Sequence, residues 1–317
     1  MKFLRYNDNL KSEPPKIGAL LPNNNVINLS DLYKTKTGEE LSTSDLISSN
    51  SVNKKIAELI KLSDSTFIEK RKELNILCPL EEVNSLRDAY SFRQHVETSR
   101  KNRGLEMIEE FDNFPIYYYS NHNAIEGPGT IEIDSIFAEK LDYEVEIAIV
   151  IGKKGINISP QDADSFIYGF TIMNDLSSRQ IQMEEMKLNL GPAKGKDFAT
   201  SIGPYICTKD ELNDSIIRTD NGNHYDLELS CTINNIKFSS DNLKNMHWTF
   251  AQIISQISKG TSIYPGDIIG SGTCATGCFY ELNSGKDSSS QTWLKDGDLI
   301  NISTNKIGTL SNQIKII

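Results

Sequence analysis

The sequence has no excess of basic side chains. Among its 317 residues, 33 Lys and Arg stand against 43 Asp and Glu, which leaves a formal net charge of −10. A nucleic-acid partner needs clustered Lys and Arg to neutralise its phosphates, and no segment of the chain supplies such a patch. With 38% hydrophobic and 24% charged residues, the composition is typical of a globular protein. We therefore expect a folded protein that does not bind nucleic acid.

Cysteine is scarce and scattered. The five cysteines stand at positions 78, 207, 231, 274 and 278, and none belongs to a CxxC pair. This spacing argues against a disulfide framework and against a zinc ribbon. The chain also lacks the run of roughly 18 uninterrupted apolar residues that a membrane span requires. We expect a reduced, cytoplasmic protein that has no membrane partner.

The common motifs of nucleotide-binding proteins and hydrolases are also missing. GPAKGK at 191–196 has too few residues between its glycines for a phosphate loop. GSGTCATG at 270–277 lacks the third glycine of a dinucleotide fingerprint and continues toward a strand. No GxSxG elbow and no HExxH helix occurs in the sequence. The acidic residues are the remaining candidates for chemistry.

Strand patterns dominate the chain. Short strands are predicted over residues 1–35, and amphipathic helices between residues 43 and 74. Later segments read mainly as strands, and helical periodicity is clear only in SSRQIQMEEMKL and LKNMHWTFAQIISQIS. Few strand-helix-strand units of regular length occur, which disfavours a doubly wound parallel sheet. We predict an α+β fold, mostly β, with a small N-terminal lobe at 1–80 and a larger domain at 81–317.

Two glutamates stand out in the segment LDYEVEIAIVIG at 141–152. Side chains alternate across a strand, so Glu144 and Glu146 project from one face about 7 Å apart. The apolar run IAIVI that follows is typical of a fully buried strand. Two like charges beside a buried strand need a cation. The alternative is a surface strand whose glutamates are solvated.

A third acid, Asp175, ends the predicted strand FIYGFTIMND and begins a helix. Its simplest role is to cap that helix. Arg179 and Gln182 follow on the same helix face, so an acid, a cation and an amide converge at a strand end. Carboxylates without a neighbouring Cys or His suit Mg²⁺, Ca²⁺ or Mn²⁺ and suit zinc poorly.

One histidine differs from the other three. His122 and His224 lie in polar segments, and His247 lies in an apolar helix. His95 closes the run DAYSFRQH at 88–95, which offers an acid, a hydroxyl, a cation and a titratable base: Asp88, Tyr90, Arg93 and His95. Structural capping is the alternative role for this run.

Together these segments resemble the fumarylacetoacetate hydrolase family. The resemblance rests on five blocks that occur in the family's order, DAYSFRQH at 88–95, LDYEVEIAIVIG at 141–152, MNDLSSRQIQ at 173–182, GPAKGKDFATSIGP at 191–204 and IIGSGTCATGC at 268–278. It covers roughly residues 80 to 317. It implies a mixed β-roll catalytic domain, preceded by a small β-rich lobe, and a homodimer.

The resemblance also implies roles for individual residues. The metal ligands would be Asp88, Glu144, Glu146 and Asp175, with Mg²⁺, Ca²⁺ or Mn²⁺ as the ion. The catalytic residues would be His95 as general base, Glu281 as its acidic partner, and Lys196. The residues that contact substrate would be Tyr90, Arg103, Tyr118, Arg179, Gln182 and Thr273. Acylpyruvase-like relatives carry a glutamate three residues after the histidine, where this chain has Thr98, whereas Asp88 resembles the fumarylacetoacetases proper.

The activity implied is metal-dependent hydrolysis of a C–C bond in a 1,3-diketo acid. Histidine-activated water would attack the carbonyl, and the departing enolate would be stabilised by the ion. Two alternatives use the same site: decarboxylation of a 2-keto acid such as oxaloacetate, and isomerisation or tautomerisation of 2-hydroxy-diene-dioates. A metal-stabilised binding protein without activity is a third. The expected partner is a small diketo or 2-keto acid.

Overall fold

The computed structural model of the chain describes residues 1–8 and 14–317. The N-terminal 80 residues contribute β1 (Lys2–Asp8), β2 (Lys16–Leu20), β3 (Val26–Asn28), α1 (Leu29–Thr37), α2 (Thr43–Ser48), α3 (Asn50–Leu62), β4 (Ile68–Glu69) and β5 (Leu74–Leu77).

The remainder of the chain supplies most of the strands and several short helices. Its elements up to residue 208 are β6 (Ser85–Ala89), α4 (Arg93–Asn102), β7 (Tyr117–Ser120), β8 (Ile125–Glu126), β9 (Gly129–Ile133), β10 (Leu141–Asp142), β11 (Val145–Ile151), β12 (Gly155–Ile156), α5 (Pro160–Ala163), β13 (Ile167–Asp175), β14 (Ser177–Ser178), α6 (Arg179–Met186) and β15 (Thr200–Thr208). The later elements are β16 (Ile216–Thr219), β17 (Gly222–Tyr225), β18 (Glu228–Ile233), β19 (Ile236–Asn242), α7 (Phe250–Ile257), β20 (Ser262–Ile263), β21 (Asp267–Gly270), α8 (Phe279–Leu282), β22 (Leu299–Thr304) and β23 (Gly308–Ile316).

Two sheets make the frame. The larger sheet follows the order β4-β3-β2-β1-β15-β13-β11-β21-β6-β7, with β5 added beside β1 and β8 beside β15. The smaller sheet has the order β19-β18-β22-β23-β9. Most neighbouring strands are antiparallel, but β6 runs parallel to β21 and β9 parallel to β23. The predicted α+β fold, mostly β, is confirmed.

Strand β11 is buried on both faces because it carries apolar residues at almost every position. Its odd-numbered side chains, such as Ile147 and Ile149, join the large core that also contains residues of the smaller sheet. Its even-numbered side chains, such as Ala148 and Val150, pack in a second core on the opposite face. By the same alternation, Glu146 projects from the even-numbered face.

The N-terminal strands continue the larger sheet. Phe3 of β1 pairs with Ile206 of β15, so the sheet runs across the predicted boundary. Helices α1 to α3 nevertheless share a separate apolar core, which includes Leu32 and Ile56. The division at residue 80 stays a prediction.

Several helix predictions differ from the structure. The helical segment predicted to reach residue 74 ends at Leu62, and two short 3₁₀ turns and strands β4 and β5 follow. Helix α1 lies where strand and turn are predicted, and the Asn28 side chain caps it by accepting from the Asp31 amide. Helix α7 begins only at Phe250, where Thr249 and Gln252 form a capping box. Helix α4 was not predicted.

None of the helices in residues 1–8 and 14–317 is long and apolar enough to cross a bilayer.

The central position of β11 yields a stability prediction. Ile149 is fully buried, so Ile149→Ala should lower the free energy of unfolding by about 2–5 kcal/mol, through lost burial and a residual cavity. Ile236, which is 62% exposed, is the matched control, and Ile236→Ala should change stability by about 0.5 kcal/mol or less. Chemical denaturation measures both values. Equal losses in the two variants would contradict the assignment of β11 to the core.

Candidate active site

The four acids grouped by the sequence lie on neighbouring strands of the larger sheet. Asp88 belongs to β6, Glu146 to β11 and Asp175 to the end of β13, while Glu144 immediately precedes β11. Strand β21 separates β6 from β11, and the four strands are consecutive in the sheet. The sheet therefore brings together acids that lie up to 87 residues apart in the sequence.

Gly270 of β21 provides the room between these acids. It pairs with Asp88 on one side and with Ala148 on the other. A Cβ atom built on Gly270 would lie 2.4 Å from Asp88 Oδ1 and 3.0 Å from Glu146 Oε2. A side chain at this position would therefore push the two carboxylates out of place.

The four carboxylates form one buried cluster. One oxygen of each lies within 4.8 Å of the others, and each residue is at most 3% exposed: Asp88, Glu144, Glu146 and Asp175. Carboxylate oxygens converging in this number are the donors that hard divalent cations prefer. The cluster fits a divalent metal ion.

Burial and the neighbouring charges raise the pKa of two acids of the cluster. Burial, followed by the charge of Asp175, raises the pKa of Asp88 to about 7. Burial and the charges of Asp88 and Glu144 raise the pKa of Glu146 well above its usual value. Burial is the larger cause of both shifts and the neighbouring carboxylates add to it, so the protonated forms of these two acids are favoured when no cation is bound.

Backbone and hydroxyl donors offset part of this charge. The Gly272 amide donates to Asp88 Oδ1 at 3.1 Å and to Glu146 Oε2 at 3.0 Å. Thr273 Oγ1 lies 3.4 Å from Glu146 Oε1, and Thr200 Oγ1 donates to Asp175 Oδ1 at 3.0 Å. The segment after β21 thus donates hydrogen bonds to the cluster mainly from its backbone.

Tyr118 also contacts the cluster. Its hydroxyl lies 2.6 Å from Asp175 Oδ2 and 3.0 Å from Asp88 Oδ2. Burial, then the charges of Asp175 and Asp88, raise its pKa well above the usual value, so the phenol stays neutral and donates its proton. The structure places this predicted substrate contact against the carboxylates.

Two buried cations complete the cluster. Lys196 Nζ contacts Glu144 Oε2 and donates to Asp175 Oδ2 at 2.7 Å. Arg179 donates to Glu144 Oε1 at 2.7 Å and to Gln182 Oε1 at 2.9 Å. Burial would raise the pKa of Glu144, but Lys196 and Arg179 outweigh it and bring the pKa down to about 2. Glu144 is therefore ionised at every physiological pH.

Asp142 is an important residue that the sequence analysis overlooked. It is fully buried, and its Oδ2 accepts from Arg179 Nε at 2.8 Å and from the Tyr280 amide at 3.0 Å. Its Oδ1 accepts from the Phe279 amide at 2.8 Å, which anchors the start of α8. The signal was present in the sequence, because Asp142 precedes Glu144 by the same two-residue step that separates Glu144 from Glu146.

His95 and Glu281 meet as the resemblance implied. His95 lies in α4, Glu281 lies in α8, and their Nδ1 and Oε2 atoms are 2.9 Å apart. Both residues are nearly buried, with 6% and 5% of their surface exposed. The two atoms do not have hydrogen-bond geometry, however, and neither makes another hydrogen bond. On the far side of the ring, Nε2 lies 3.4 Å from Ser99 Oγ.

A cavity of about 250 Å³ lies over these groups. Ten of the thirteen residues predicted for the site line it: Asp88, Tyr90, His95, Arg103, Tyr118, Glu144, Arg179, Gln182, Lys196 and Thr273. The other three contact residues of this set: Glu146 and Asp175 within the carboxylate cluster, and Glu281 through His95. Their individual roles stay predictions.

Helix α6 also supplies apolar lining that the sequence analysis did not name. Met183 and Met186 line the cavity beside Arg179 and Gln182. These four residues follow the helical spacing of positions i, i+3, i+4 and i+7, so one face of α6 points into the cavity. By contrast, Arg93 in DAYSFRQH points away, because it pairs with Asp112 at the surface.

The fold and the site together define a family. Residues 85–315 match the family model described as fumarylacetoacetate hydrolase, C-terminal. The chain belongs to the fumarylacetoacetate hydrolase family, which confirms the resemblance read from the sequence.

Relatives with descriptive names point to more than one reaction. A "fumarylacetoacetate hydrolase domain-containing protein 2 homolog" of Dictyostelium discoideum is 28% identical over 99% of this chain and 97% of its own. The "oxaloacetate tautomerase YisK" of Bacillus subtilis is 30% identical over 68% of this chain and 66% of its own. A mitochondrial rat protein, "oxaloacetate tautomerase Fahd2a", is 31% identical over 63% of this chain and 58% of its own.

Solved structures share the fold. A fumarylacetoacetate hydrolase from Exiguobacterium antarcticum aligns over 100% of both chains with a TM-score of 0.72 and 22% identity. A probable 2-hydroxyhepta-2,4-diene-1,7-dioate isomerase from Mycobacterium abscessus aligns over 100% of this chain and 99% of its own, with a TM-score of 0.69 and 18% identity. The same architecture therefore occurs in proteins whose names describe hydrolysis and isomerisation.

The carboxylate cluster predicts that Glu146, unlike a glutamate on the surface, contributes to cation binding. Loss of a residue that only orients a metal ligand lowers metal affinity by roughly 10–100-fold. Glu146→Gln removes the charge of a predicted ligand itself, so it should weaken Mn²⁺ binding by more than that. Glu97 is exposed on α4, so Glu97→Gln is the matched control and should bind the ion like the wild type. Isothermal titration calorimetry measures both affinities. Unchanged binding by Glu146→Gln would exclude Glu146 as a ligand.

The Asp142 contacts predict a large effect on stability. Asp142→Ala removes the acceptor of Arg179 Nε and of two α8 amides and breaks a buried ion pair, so we expect a loss of about 3–5 kcal/mol in unfolding free energy. Asp226 pairs with Lys244 at the surface, and Asp226→Ala should leave the denaturation midpoint nearly unchanged. Denaturant titration compares the two variants. A small loss for Asp142→Ala would contradict its structural role.

Proposed function

We propose that this protein is a Mg²⁺-dependent enzyme that interconverts the enol and keto forms of a 2-oxo dicarboxylic acid of the oxaloacetate type. The observation that carries the proposal is the buried His95–Glu281 contact on the wall of a cavity that also contains the carboxylate cluster. Tautomerisation requires one group to move a proton and another to stabilise negative charge on an oxygen. The site contains both within one small cavity.

The ion would be held by the four acids of the cluster: Asp88, Glu144, Glu146 and Asp175. When bound there, a divalent ion polarises a 2-oxo group and stabilises negative charge on its oxygen. Side chains of the protein would carry out the proton transfer and bind the substrate.

His95 would transfer the proton. In its neutral form the ring can accept a proton from the carbon next to the 2-oxo group and deliver it to the oxygen, and the reverse direction moves the same proton from oxygen to carbon. Glu281 lies 2.9 Å away and would stabilise the positive ring that forms between these two steps. The reaction is balanced without water or any other reactant, since one proton leaves carbon and one is gained by oxygen.

Lys196 and Gln182 would bind the substrate's oxygens. Lys196 has three N–H donors, and two carboxylates, Glu144 and Asp175, accept from it. The Gln182 carbonyl is engaged by Arg179, which leaves its amide hydrogens for the cavity. Both residues line that cavity. They provide donors where negative charge develops on the substrate.

Arg103 favours a substrate with a second carboxylate. It lines the cavity, and its Nε donates to the Ser99 carbonyl at 3.3 Å. The terminal nitrogens of its guanidinium would remain for a carboxylate, which arginine binds well through two parallel bonds. This charge supports a diacid, as do the names of the Bacillus and rat relatives.

Hydrolysis of a 1,3-diketo acid is the second candidate. It is favoured by Asp88, the fourth acid of the cluster, which resembles the fumarylacetoacetases proper. In that reaction His95 would take a proton from water instead of from carbon. Decarboxylation of oxaloacetate differs from both because it needs no base.

A homodimer is also part of the proposal. In the run Tyr117–Tyr119, Tyr119 is 63% exposed, whereas Tyr118 contacts the acid cluster and Tyr117 lines the cavity. Ile116, three residues before Tyr119, is a second exposed apolar side chain, at 54%. This pair of side chains is suited to a subunit contact.

The proposed reaction predicts a specific loss in one variant. His95→Ala should lower kcat for oxaloacetate tautomerisation by about 10²–10⁴-fold, the usual contribution of a general acid-base group. Its affinity for Mg²⁺ should stay close to that of the wild type, because carboxylates hold the ion. The ultraviolet absorbance of the enol follows the reaction, and calorimetry follows the ion.

His122, which is exposed, is the matched control, and His122→Ala should keep full activity. Acylpyruvates and fumarylacetoacetate-like diketo acids are assayed in parallel, with product masses recorded. Cleavage of a diketo acid without tautomerisation of oxaloacetate would favour the hydrolase. Full tautomerase activity in His95→Ala would overturn the assignment of His95.

A further inference from the structure

A second group of metal-ligating side chains lies beside the carboxylate cluster. One ligand atom each from His95, Cys278 and Glu281 lies within 4.8 Å of the other two. Their exposed fractions are 6%, 0% and 5%. The proposed tautomerase chemistry uses the histidine and the glutamate but gives the thiol no role.

The histidine and the glutamate are not satisfied by each other. Nδ1 of His95 and Oε2 of Glu281 approach to 2.9 Å, yet they lack hydrogen-bond geometry and have no other hydrogen-bond partner. Buried polar atoms without a partner are uncommon, and they call for an explanation such as an ion. The buried Cys278 adds a third ligand-bearing side chain to these two residues.

This donor set differs in kind from the acid cluster. Imidazole nitrogen, thiolate sulfur and carboxylate oxygen together suit Zn²⁺, whereas four carboxylates suit Mg²⁺. Three protein ligands would leave one position of a tetrahedral ion for another ligand, and one of the three, His95, lines the cavity. The two groups would therefore select different ions.

The backbone around Cys278 is held in place. Cys278 is the residue before α8, and the amides of the next two residues, Phe279 and Tyr280, both donate to Asp142. Asp142 in turn binds Arg179. The thiol and Glu281 are thus presented by one short anchored segment, and His95 approaches them from α4.

We propose that His95, Cys278 and Glu281 form a second metal site that takes Zn²⁺ and related ions such as Co²⁺. Binding displaces the thiol proton to solvent and forms the metal–sulfur bond. An ion at this site occupies the His95 nitrogen that faces Glu281 and fixes the ring, so it inhibits proton transfer. Metal binding at this site is independent of the proposed function, whereas inhibition rests on it.

Cys274 offers a matched control. It lies four residues before Cys278, and both are buried free cysteines. Cys274 does not belong to the group that contains His95 and Glu281. Loss of its thiol should therefore leave the proposed site intact.

Cobalt absorption tests the site without any assay of activity. The full-length protein, saturated with Mg²⁺, is titrated with Co²⁺, and the near-ultraviolet band of a thiolate–cobalt bond is recorded. We expect the band in the wild type, in Cys274→Ser and in Glu146→Gln, and its loss in Cys278→Ser and Cys278→Ala. A second Cys278 variant is included so that one misfolded protein does not decide the result. Absence of the band in the wild type, or its survival in both Cys278 variants, would overturn the proposed site.

Inhibition is tested separately. With Mg²⁺ saturating, Zn²⁺ should inhibit oxaloacetate tautomerisation by the wild type and by Cys274→Ser, and the concentration for half inhibition should rise at least tenfold in Cys278→Ser. Equal inhibition of all three proteins would place the inhibitory ion elsewhere and refute this part of the proposal. A cobalt band in a protein that has no tautomerase activity would support the metal site while the proposed function failed.

Discussion

The structure of the site depends on the burial of several negative charges at adjacent strands of one sheet. A buried carboxylate is costly unless a cation or hydrogen-bond donors compensate it. Arg179 and Lys196 neutralise part of the charge, and the Gly272 amide and the Tyr118 hydroxyl contribute further hydrogen bonds. The remaining charge is what makes the cluster suitable for a divalent ion. The strand order places these acids side by side, and Gly270 on β21 leaves the room between them.

The acid cluster and the histidine are parts of one network. Asp142 accepts from Arg179, which binds Glu144, and it also accepts from the amides at the start of α8, which carries Glu281. Direct contacts therefore connect the carboxylate cluster with the segment that carries Glu281, the residue beside His95. The proposed ion site and the proposed proton-transfer pair are linked in this way, even though they lie on different elements.

The same arrangement can serve several reactions of 2-oxo acids. Hydrolysis and tautomerisation share the requirement for charge stabilisation on an oxygen and differ in what His95 would deprotonate, whereas decarboxylation needs only the stabilisation. The family frame by itself does not choose among these reactions, because a fold supports many chemistries. Arg103 and the methionines of α6 line the cavity, and we expect them to determine the shape and charge of the substrate that fits.

The sequence by itself determined the features that arise from local periodicity and motif. Two-residue alternation placed Glu144 and Glu146 on one face, and the family motifs brought Asp88, His95 and Lys196 into the same set. The sequence did not reveal which way Arg93 points or which groups Asp142 binds, since these depend on residues distant in the sequence. Asp142 binds backbone amides 137 and 138 residues away. Only the tertiary structure decided such contacts, because a buried charge takes its partner from whichever segments the sheet order brings beside it.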